Sequence, residues 1–488
     1  MLTPPEAATD EPEPQPAPGK GLVSNAGTLL ANRLLQAVLG WSGTVLIART
    51  LSIDDFGQFT LVFTVLGLMS IVTDMGIGRL AVRGMLGDPD HDPEHFAGAY
   101  VVLRSLLGLL GYGVALLVVW VSGYPDDLVA AMAVAGLVVV LATPSAALDV
   151  VFQSRMRLGS VGLIESAGML AQLALTAALA AAGGSLLLFT IPAVLFEVVV
   201  LAWKWPLAHR MVAIRLRVDW PLWKNLLREA LPLSIGFGLA TVYTRVDAVM
   251  LSQLADFEAV GIYGVSYKFI DVVHFISTAV TAPLLTLLVA AWPHDPGAFR
   301  EAARKGAMLL ALGGGLALTG LLAFAGPVTA LLYGADYAPG ADTTRVLALA
   351  EMLTFATALA MSCLVAADRH RVYPWVMAGG LLLNVGLNFL LIPQLSYLGA
   401  GLATLTSNVL VTALMWWVLL RVPGMRPLGL GRVALALPAC ALGVGAGLGA
   451  DQVMPWVPAA VLGCLVYVGA AVALGLTRAA GVHRGVRA

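Results

Sequence analysis

Residues 97–122 read AGAYVVLRSLLGLLGYGVALLVVWVS, an almost wholly apolar run. The hydrocarbon core of a bilayer, roughly 30 Å thick, needs about 20 apolar residues of helix to cross it. Outward from this run, stretches of the same kind recur at roughly 22–47, 58–80, 128–150, 160–182, 186–205, 229–254, 260–290, 305–332, 343–366, 372–392, 398–420, 431–449 and 456–477. Together they make fourteen predicted spans in 488 residues, and little chain is left over. Hydrophobic residues are 59% of the whole and charged ones 12%, with a mean hydropathy of +0.87. That balance is foreign to a water-soluble globule. The predicted fold is therefore an all-α, polytopic transmembrane helical bundle with no room for a soluble catalytic domain.

The opening segment, MLTPPEAATDEPEPQPAPGK (1–20), cannot bury enough surface to fold and is expected to be a disordered tail. Asp10, Glu11 and Glu13 precede the first lysine, Lys20, so the segment lacks the basic start of a secretory signal and is expected to stay cytoplasmic. Orientation follows from basic residues, which are retained on the cytoplasmic side near short loops. With the N-terminus inside, the inner connections hold Arg79 and Arg83, Arg155 and Arg157, the run from Lys204 to Arg228, Arg300, Arg304 and Lys305, Arg369 and Arg371, and Arg421, Arg426 and Arg432. The C-terminal tail adds Arg478, Arg484 and Arg487. The outer connections carry little more than Arg49 and Arg345, among Asp126, Asp127, Asp256, Glu258, Asp336 and Asp451. An even number of spans in the cell (plasma) membrane, with both termini cytoplasmic, is the expectation. The outer connections are also too short for an extracytoplasmic catalytic loop. Cys363, Cys440 and Cys464 fall within spans, with neither metal-type nor disulfide spacing.

The longest inner connection, 206–228, is basic and amphipathic, with Arg215, Arg217, Trp220, Trp223 and Lys224. It reads as an interfacial linker lying among anionic headgroups, or as a plain positive-inside loop. It separates an N-terminal six-helix half (21–205) from a C-terminal six-helix half (229–421), and 431–477 adds two further helices. A weak repeat relates the halves: IARTLSIDDFGQF (47–59) and MLSQLADFEAVGIY (250–263) both read as a helix end, a leucine-bearing corner, an acidic turn, a glycine and an aromatic. Transporters use duplicated halves in this way, with substrate held near the midplane between them.

Several stretches carry a family resemblance. Ala48-Arg49-Thr50-Leu51 with Asp55-Phe56-Gly57, Thr73-Asp74-Met75-Gly76-Ile77, Phe152-Gln153-Ser154-Arg155, Asp247 to Leu251 with Val260 to Tyr263, and Asn388 to Pro393 with Gly399 to Ala403 resemble polysaccharide flippases. These belong to the multidrug/oligosaccharidyl-lipid/polysaccharide exporter superfamily, in the branch that moves undecaprenyl-linked sugar units. The resemblance covers roughly 24–420 and rests on the order and spacing of the motifs together. It implies two repeated six-helix halves around a central cavity, with the last two spans outside that core.

Ionisable groups inside spans are costly, so each is a functional candidate. The main ones are Arg33, Arg245, Asp247, Lys268, Asp271, His274, Glu165, Glu197 and Glu351. Lys268, Asp271 and His274 stand three apart and share one helical face. Arg245 and Asp247 are two apart and project to different sides, and Asp247 reads equally as packing or substrate residue. Asn384 and Asn388, at i and i+4, read as interhelical glue. A lipid-linked sugar carrier must take a diphosphate through a low-dielectric slab, and a fixed cation offsets its desolvation. Arg33, Arg245 and Lys268 are therefore the candidate headgroup ligands, each equally readable as half of an ion pair that holds helices in register. Asp271, His274, Glu165 and Glu197 are candidates for a coupling ion or proton.

The expected function is alternating-access flipping of a polyprenyl-diphosphate glycan from the inner to the outer leaflet for polysaccharide biosynthesis. A lipid II flippase and a cation-coupled multidrug exporter of the same superfamily are the alternatives. Three cations in the spans favour a phosphate-bearing load. No G-x-x-x-x-G-K-[ST] loop is present, so ATP hydrolysis is not expected. The chain reads as a non-enzyme without cofactor, metal or nucleic-acid partner; its expected partners are the glycan lipid, membrane lipids and the polysaccharide synthesis machinery.

Overall fold

The computed structural model describes residues 18–74, 76–87, 92–155, 157–423, 425, 428 and 430–477. The expected tail up to residue 17, and the basic C-terminus from residue 478, lie outside them. The described residues form α1 (Pro18–Thr50), α2 (Ile53–Leu68), α3 (Ser70–Thr73), α4 (Ile77–Gly87), α5 (Pro93–Val121), α6 (Asp126–Ala135), α7 (Leu137–Ser154) and α8 (Leu158–Ala181). They continue as α9 (Leu186–Met211), α10 (Trp220–Leu254), α11 (Phe257–Ala291), α12 (Pro296–Tyr333), α13 (Ala341–Ala366), α14 (Tyr373–Leu419), α15 (Ala436–Asp451) and α16 (Trp456–Ala473). Among the described residues there is no strand.

Among the described residues, eleven helical stretches are long and apolar enough to cross a membrane. One of them, His370–Leu419, turns back at Ser396 (φ 49°, ψ −130°) and so crosses twice. The 33-residue α1 and the 35-residue α10 complete fourteen crossings. Connections at one end of the bundle are acidic (Asp54, Asp55, Asp126, Asp127, Asp256, Asp336), and those at the other are basic (Arg155, Arg157, Arg215, Arg217, Arg369, Arg371).

Packing repeats between the halves. In the first, α1 packs on α8, α5 on α7, and α7 on α9; in the second, α10 packs on α14, α12 on α13, and α13 on α14. The pair α15 and α16 sits on α12, and Gly443 and Gly463 let their backbones touch.

Three predicted spans depart from a single straight helix. The expected 58–80 span breaks at Met69 and again around Gly76 (φ 72°), leaving α4 as a separate helix against α5, α7 and α10. At the second break Arg104 of α5, only 4% exposed, donates to the Thr73 carbonyl and, at 3.0 Å, to the Asp74 carboxylate. The 128–150 span divides at Gly136, against which the Tyr112 ring packs while its hydroxyl donates to the Ala133 carbonyl at 2.9 Å. In α12, Phe324 leaves helical geometry just before Pro327, which lacks the N–H that would bond residue 323.

The connection between the halves is also more structured than a flexible loop. α9 extends to Met211, residues 212–219 run extended, and α10 begins at Trp220. The buried Trp223 donates from its indole to the Ala99 carbonyl at 2.9 Å, and His95 contacts Asp219 at 2.7 Å. Bonds from the Leu222 N–H and from His95 hold the Asp219 carboxyl below the usual carboxylate range. Thus α10 starts in the core of the first half and ends in the second.

The halves meet most closely at the acidic end, where α2 crosses α11. A Cβ added to Gly57 would overlap the Phe257 carbonyl oxygen, and one added to Gly261 would lie 2.6 Å from the Ile53 carbonyl oxygen. The two contacts are mirror images under the repeat, since each glycine meets the carbonyl four residues before the other. Gly57→Ala is expected to lower stability by about 1–3 kcal/mol. Gly386→Ala, where an added Cβ meets nothing within 4 Å, should leave it unchanged or slightly raised. Thermal unfolding of the purified variants in one detergent measures both.

Candidate functional site

Two cavities meet inside the bundle. The first, about 310 Å3, is walled by α1, α2, α8 and α9 of the first half and by α10 and α11 of the second. The second, about 410 Å3, lies within the second half among α10, α11, α13 and α14. Thr244, Arg245, Tyr267 and Asp271 line both, so one wall joins them.

The walls differ in chemistry. The first half contributes aromatic rings (Phe56, Phe59, Phe63, Phe189) with hydroxyls such as Thr44 and Thr60. The second contributes the charges Arg245, Lys268 and Asp271. Helical periodicity explains their convergence: Gly264, Tyr267, Lys268 and Asp271 follow the i, i+3, i+4, i+7 pattern on α11, and His274 continues it into the second cavity.

Pairing separates these charges. The Lys268 ammonium stands 3.6 Å from the Asp271 carboxylate, with both side chains nearly half exposed, a weak surface-type pair. His274 Nδ1 lies 2.8 Å from Glu351 Oε1. Arg245 is exposed to the cavity and has neither ion pair nor hydrogen bond among the described residues. The Arg33 side chain lies outside the described residues.

Asp247 turns away from the cavity and is 2% exposed. Its carboxylate accepts from Tyr263 at 2.8 Å, Asn388 at 2.7 Å and Thr404 at 2.6 Å, and Asn388 also donates to Asn384 at 3.1 Å. These bonds tie α10, α11 and α14 together, a packing role.

Glu165 and Glu197 stand apart from both cavities, in the basic-end part of the first half. Lys204 Nζ lies 2.8 Å from Asp149 and 3.0 Å from Glu165, and Glu197 adds to the same field. Lys204, expected among the basic connections, is thus a corrected assignment: it sits in α9, 2% exposed, because two carboxylates replace its lost hydration. The single charges Arg104 and Asp149, each set in an apolar run, were the sequence signals for these networks.

Arg49, expected as a stray cation of an outer connection, has a structural task as well. Its guanidinium donates to the carbonyls of Leu331 and, at 2.7 Å, Leu332, unpaired acceptors in the last turn of α12. Nearby, Trp41 donates to the Tyr333 hydroxyl, Tyr337 donates to the Ala48 carbonyl at 3.3 Å, and the Tyr124 and Ser252 hydroxyls meet at 2.7 Å. These contacts and the Gly57–Gly261 crossing join the two halves at the acidic end.

Structural and available charges should respond differently to truncation. Lys204→Ala strands two carboxylates that are partly exposed, and is expected to cost about 1–3 kcal/mol. Arg245→Ala removes no bond and should stay within about 0.5 kcal/mol of the parent. Thermal unfolding of the two variants in the same detergent distinguishes them.

The fold has relatives among solved structures. Lipid II flippase MurJ, in an inward closed conformation, superposes with a TM-score of 0.78 at 11% identity, covering 92% of this chain and 98% of its own. An inward-facing multidrug resistance MATE family transporter of the MOP superfamily gives 0.68 at 13% identity, over 82% and 99% of the two chains. A MOP superfamily transporter from Pyrococcus furiosus gives 0.57 at 12%, over 83% and 96%. At these identities the likeness is one of fold. No curated protein matches the chain. In sequence, residues 46–342 match the polysaccharide biosynthesis protein family. That match takes in the first half from residue 46 onward, the linker and the Arg245, Lys268, Asp271 and His274 wall, and the chain belongs to that family.

Proposed function

We propose that the protein carries a polyprenyl-diphosphate-linked oligosaccharide from the inner to the outer leaflet for polysaccharide biosynthesis. The observation that carries this reading is Arg245, a cation without a partner among the described residues on the wall shared by the two cavities. A guanidinium offers a planar fork of donors suited to phosphate oxygens. Lys268, held only loosely by Asp271, is the second headgroup ligand, and Arg33 is a third proposed from its position in the sequence.

The opposite wall suits the sugar, because aromatic faces accept its C–H surfaces and threonine hydroxyls its polar edges. The reading of a cationic drug as cargo has less support: both cavity carboxylates, Asp271 and Glu351, face cationic or protonatable partners. Carriage of this kind breaks no covalent bond, and the protein acts as a transporter rather than an enzyme.

The proposed cycle rocks residues 21–205 against 229–421. The basic end faces the cytoplasm together with both termini, and the membrane is the plasma membrane. Opening toward the outer leaflet then requires release of the contacts at the acidic end. Glycan-assembly enzymes on the cytoplasmic face are the proposed partners.

Depletion of the protein in its host, followed by a membrane-impermeant glycosidase on intact and on opened membranes, tests the reading. Glycan lipid should collect on the cytoplasmic leaflet while surface polysaccharide is lost; unchanged glycan lipid with altered drug tolerance would overturn it. Arg245→Ala should lower export by about tenfold or more with normal membrane insertion. Joining Tyr124→Cys to Ser252→Cys with a short bis-maleimide should stop export by holding the acidic end shut.

A further inference from the structure

The second cavity contains a pair that headgroup binding leaves unexplained. Glu351 lies ten residues into α13, its side chain 7% exposed, whereas the His274 side chain opposite is 49% exposed. The pair therefore has one end buried in the bundle and one end wet. Its contact runs from His274 Nδ1 to Glu351 Oε1 at 2.8 Å, and the second ring nitrogen, Nε2, has no partner among the described residues. A neutral imidazole can donate from Nδ1 to the carboxylate and leave Nε2 free to accept a proton from cavity water. The pair can thus gain or lose one proton without breaking its hydrogen bond.

The surroundings give that proton a consequence. The charged and titratable groups that line the second cavity with the pair are Tyr243 and Arg245 from α10, Tyr267 and Asp271 from α11, and Tyr373 from α14; Lys268, paired with Asp271, stands on the wall of the first cavity. With the tyrosines neutral, Arg245 and Lys268 balance Asp271 and Glu351, so the described wall carries no net charge when His274 is neutral. It carries one positive charge when His274 is protonated. Arg245 and Asp271 line both cavities, so this change is felt where an anion would sit.

We infer that His274 and Glu351 form a proton-binding site linked to the diphosphate subsite, so that a proton and a diphosphate each tighten the binding of the other. The inference rests on the proposed cationic subsite, and linkage makes the effect reciprocal. Both groups keep a hydrogen bond throughout, which suits a site that cycles between two charge states inside a bundle.

Inorganic pyrophosphate is the probe, with the full chain in nanodiscs and binding followed by calorimetry at about pH 6 and about pH 8. Binding should be about fivefold or more tighter at the lower pH and should be accompanied by proton uptake, seen as a dependence on buffer ionisation heat. His274→Gln should bind at the parent's high-pH level at both values. Glu351→Gln should raise affinity at the higher pH toward the parent's low-pH level, since it removes the balancing negative charge. The opposite directions of the two variants guard against a general loss of folding, and nitrogen NMR of the histidines reads the protonation of His274 without any anion. A His274 that keeps one charge state from about pH 5 to about pH 9 overturns the proton site. Equal pyrophosphate affinity at both pH values, abolished by Arg245→Ala, overturns the linkage and leaves the cationic subsite standing. No binding at either pH overturns both.

Discussion

The close crossing of α2 and α11 at Gly57 and Gly261 is the constraint on which the rest of the bundle depends. Each backbone approaches the other where a side chain would otherwise stand, and this fixes how the two halves face each other. Phe56 and Phe59 then lie on one side of the crossing and Tyr263 and Tyr267 on the other, so the same crossing supplies the aromatic lining of the cavity. A looser contact would open the acidic end and remove the enclosure that makes buried charge effective.

Charges inside the bundle sort by whether their partners are complete. Arg104 has a carbonyl and Asp74, Lys204 has Asp149 and Glu165, and Asp247 has three donors. In each case a charged or polar partner replaces hydration lost on burial, although Arg104 Nε keeps no partner among the described residues, and the result is attachment of helices to one another. Arg245 is the contrast: it stands in a cavity with neither ion pair nor hydrogen bond among the described residues. The asymmetry between the halves has the same origin. The first half keeps its Lys204 network away from the cavity and shows it aromatic rings, while the second half places its charges on the cavity face of α10 and α11.

Much of this was legible in the sequence. Span length and the alternation of basic and acidic connections convey the bundle, because lipid imposes simple demands on helix length and charge, and the repeat at 47–59 and 250–263 conveys its two halves. The alternation at Lys268, Asp271 and His274 was readable because helical spacing alone puts them on one face. The Lys204 cluster was not readable in that way: its three helices are joined by contacts far apart in the chain, and Lys204 near the end of a span looked like an ordinary loop cation. Arg49 misled for a similar reason, since the acceptors it needs are carbonyls of α12 with no signature of their own. The break around Gly76 likewise lies where Arg104, a residue on another helix, bonds Thr73 and Asp74.

The anchoring of Asp247 bears on the order in which the chain enters the membrane. Of its three donors, Tyr263 follows 16 residues later, whereas Asn388 and Thr404 follow 141 and 157 residues later. When α10 leaves the ribosome, its carboxylate has no companion, and α11 can offer only the first. Two of the three bonds that stabilise this group wait for α14. The nascent second half must therefore pass through a stage in which α10 is held by its start, through Trp223 in the finished first half, while its end still awaits the partners that make it at home in lipid.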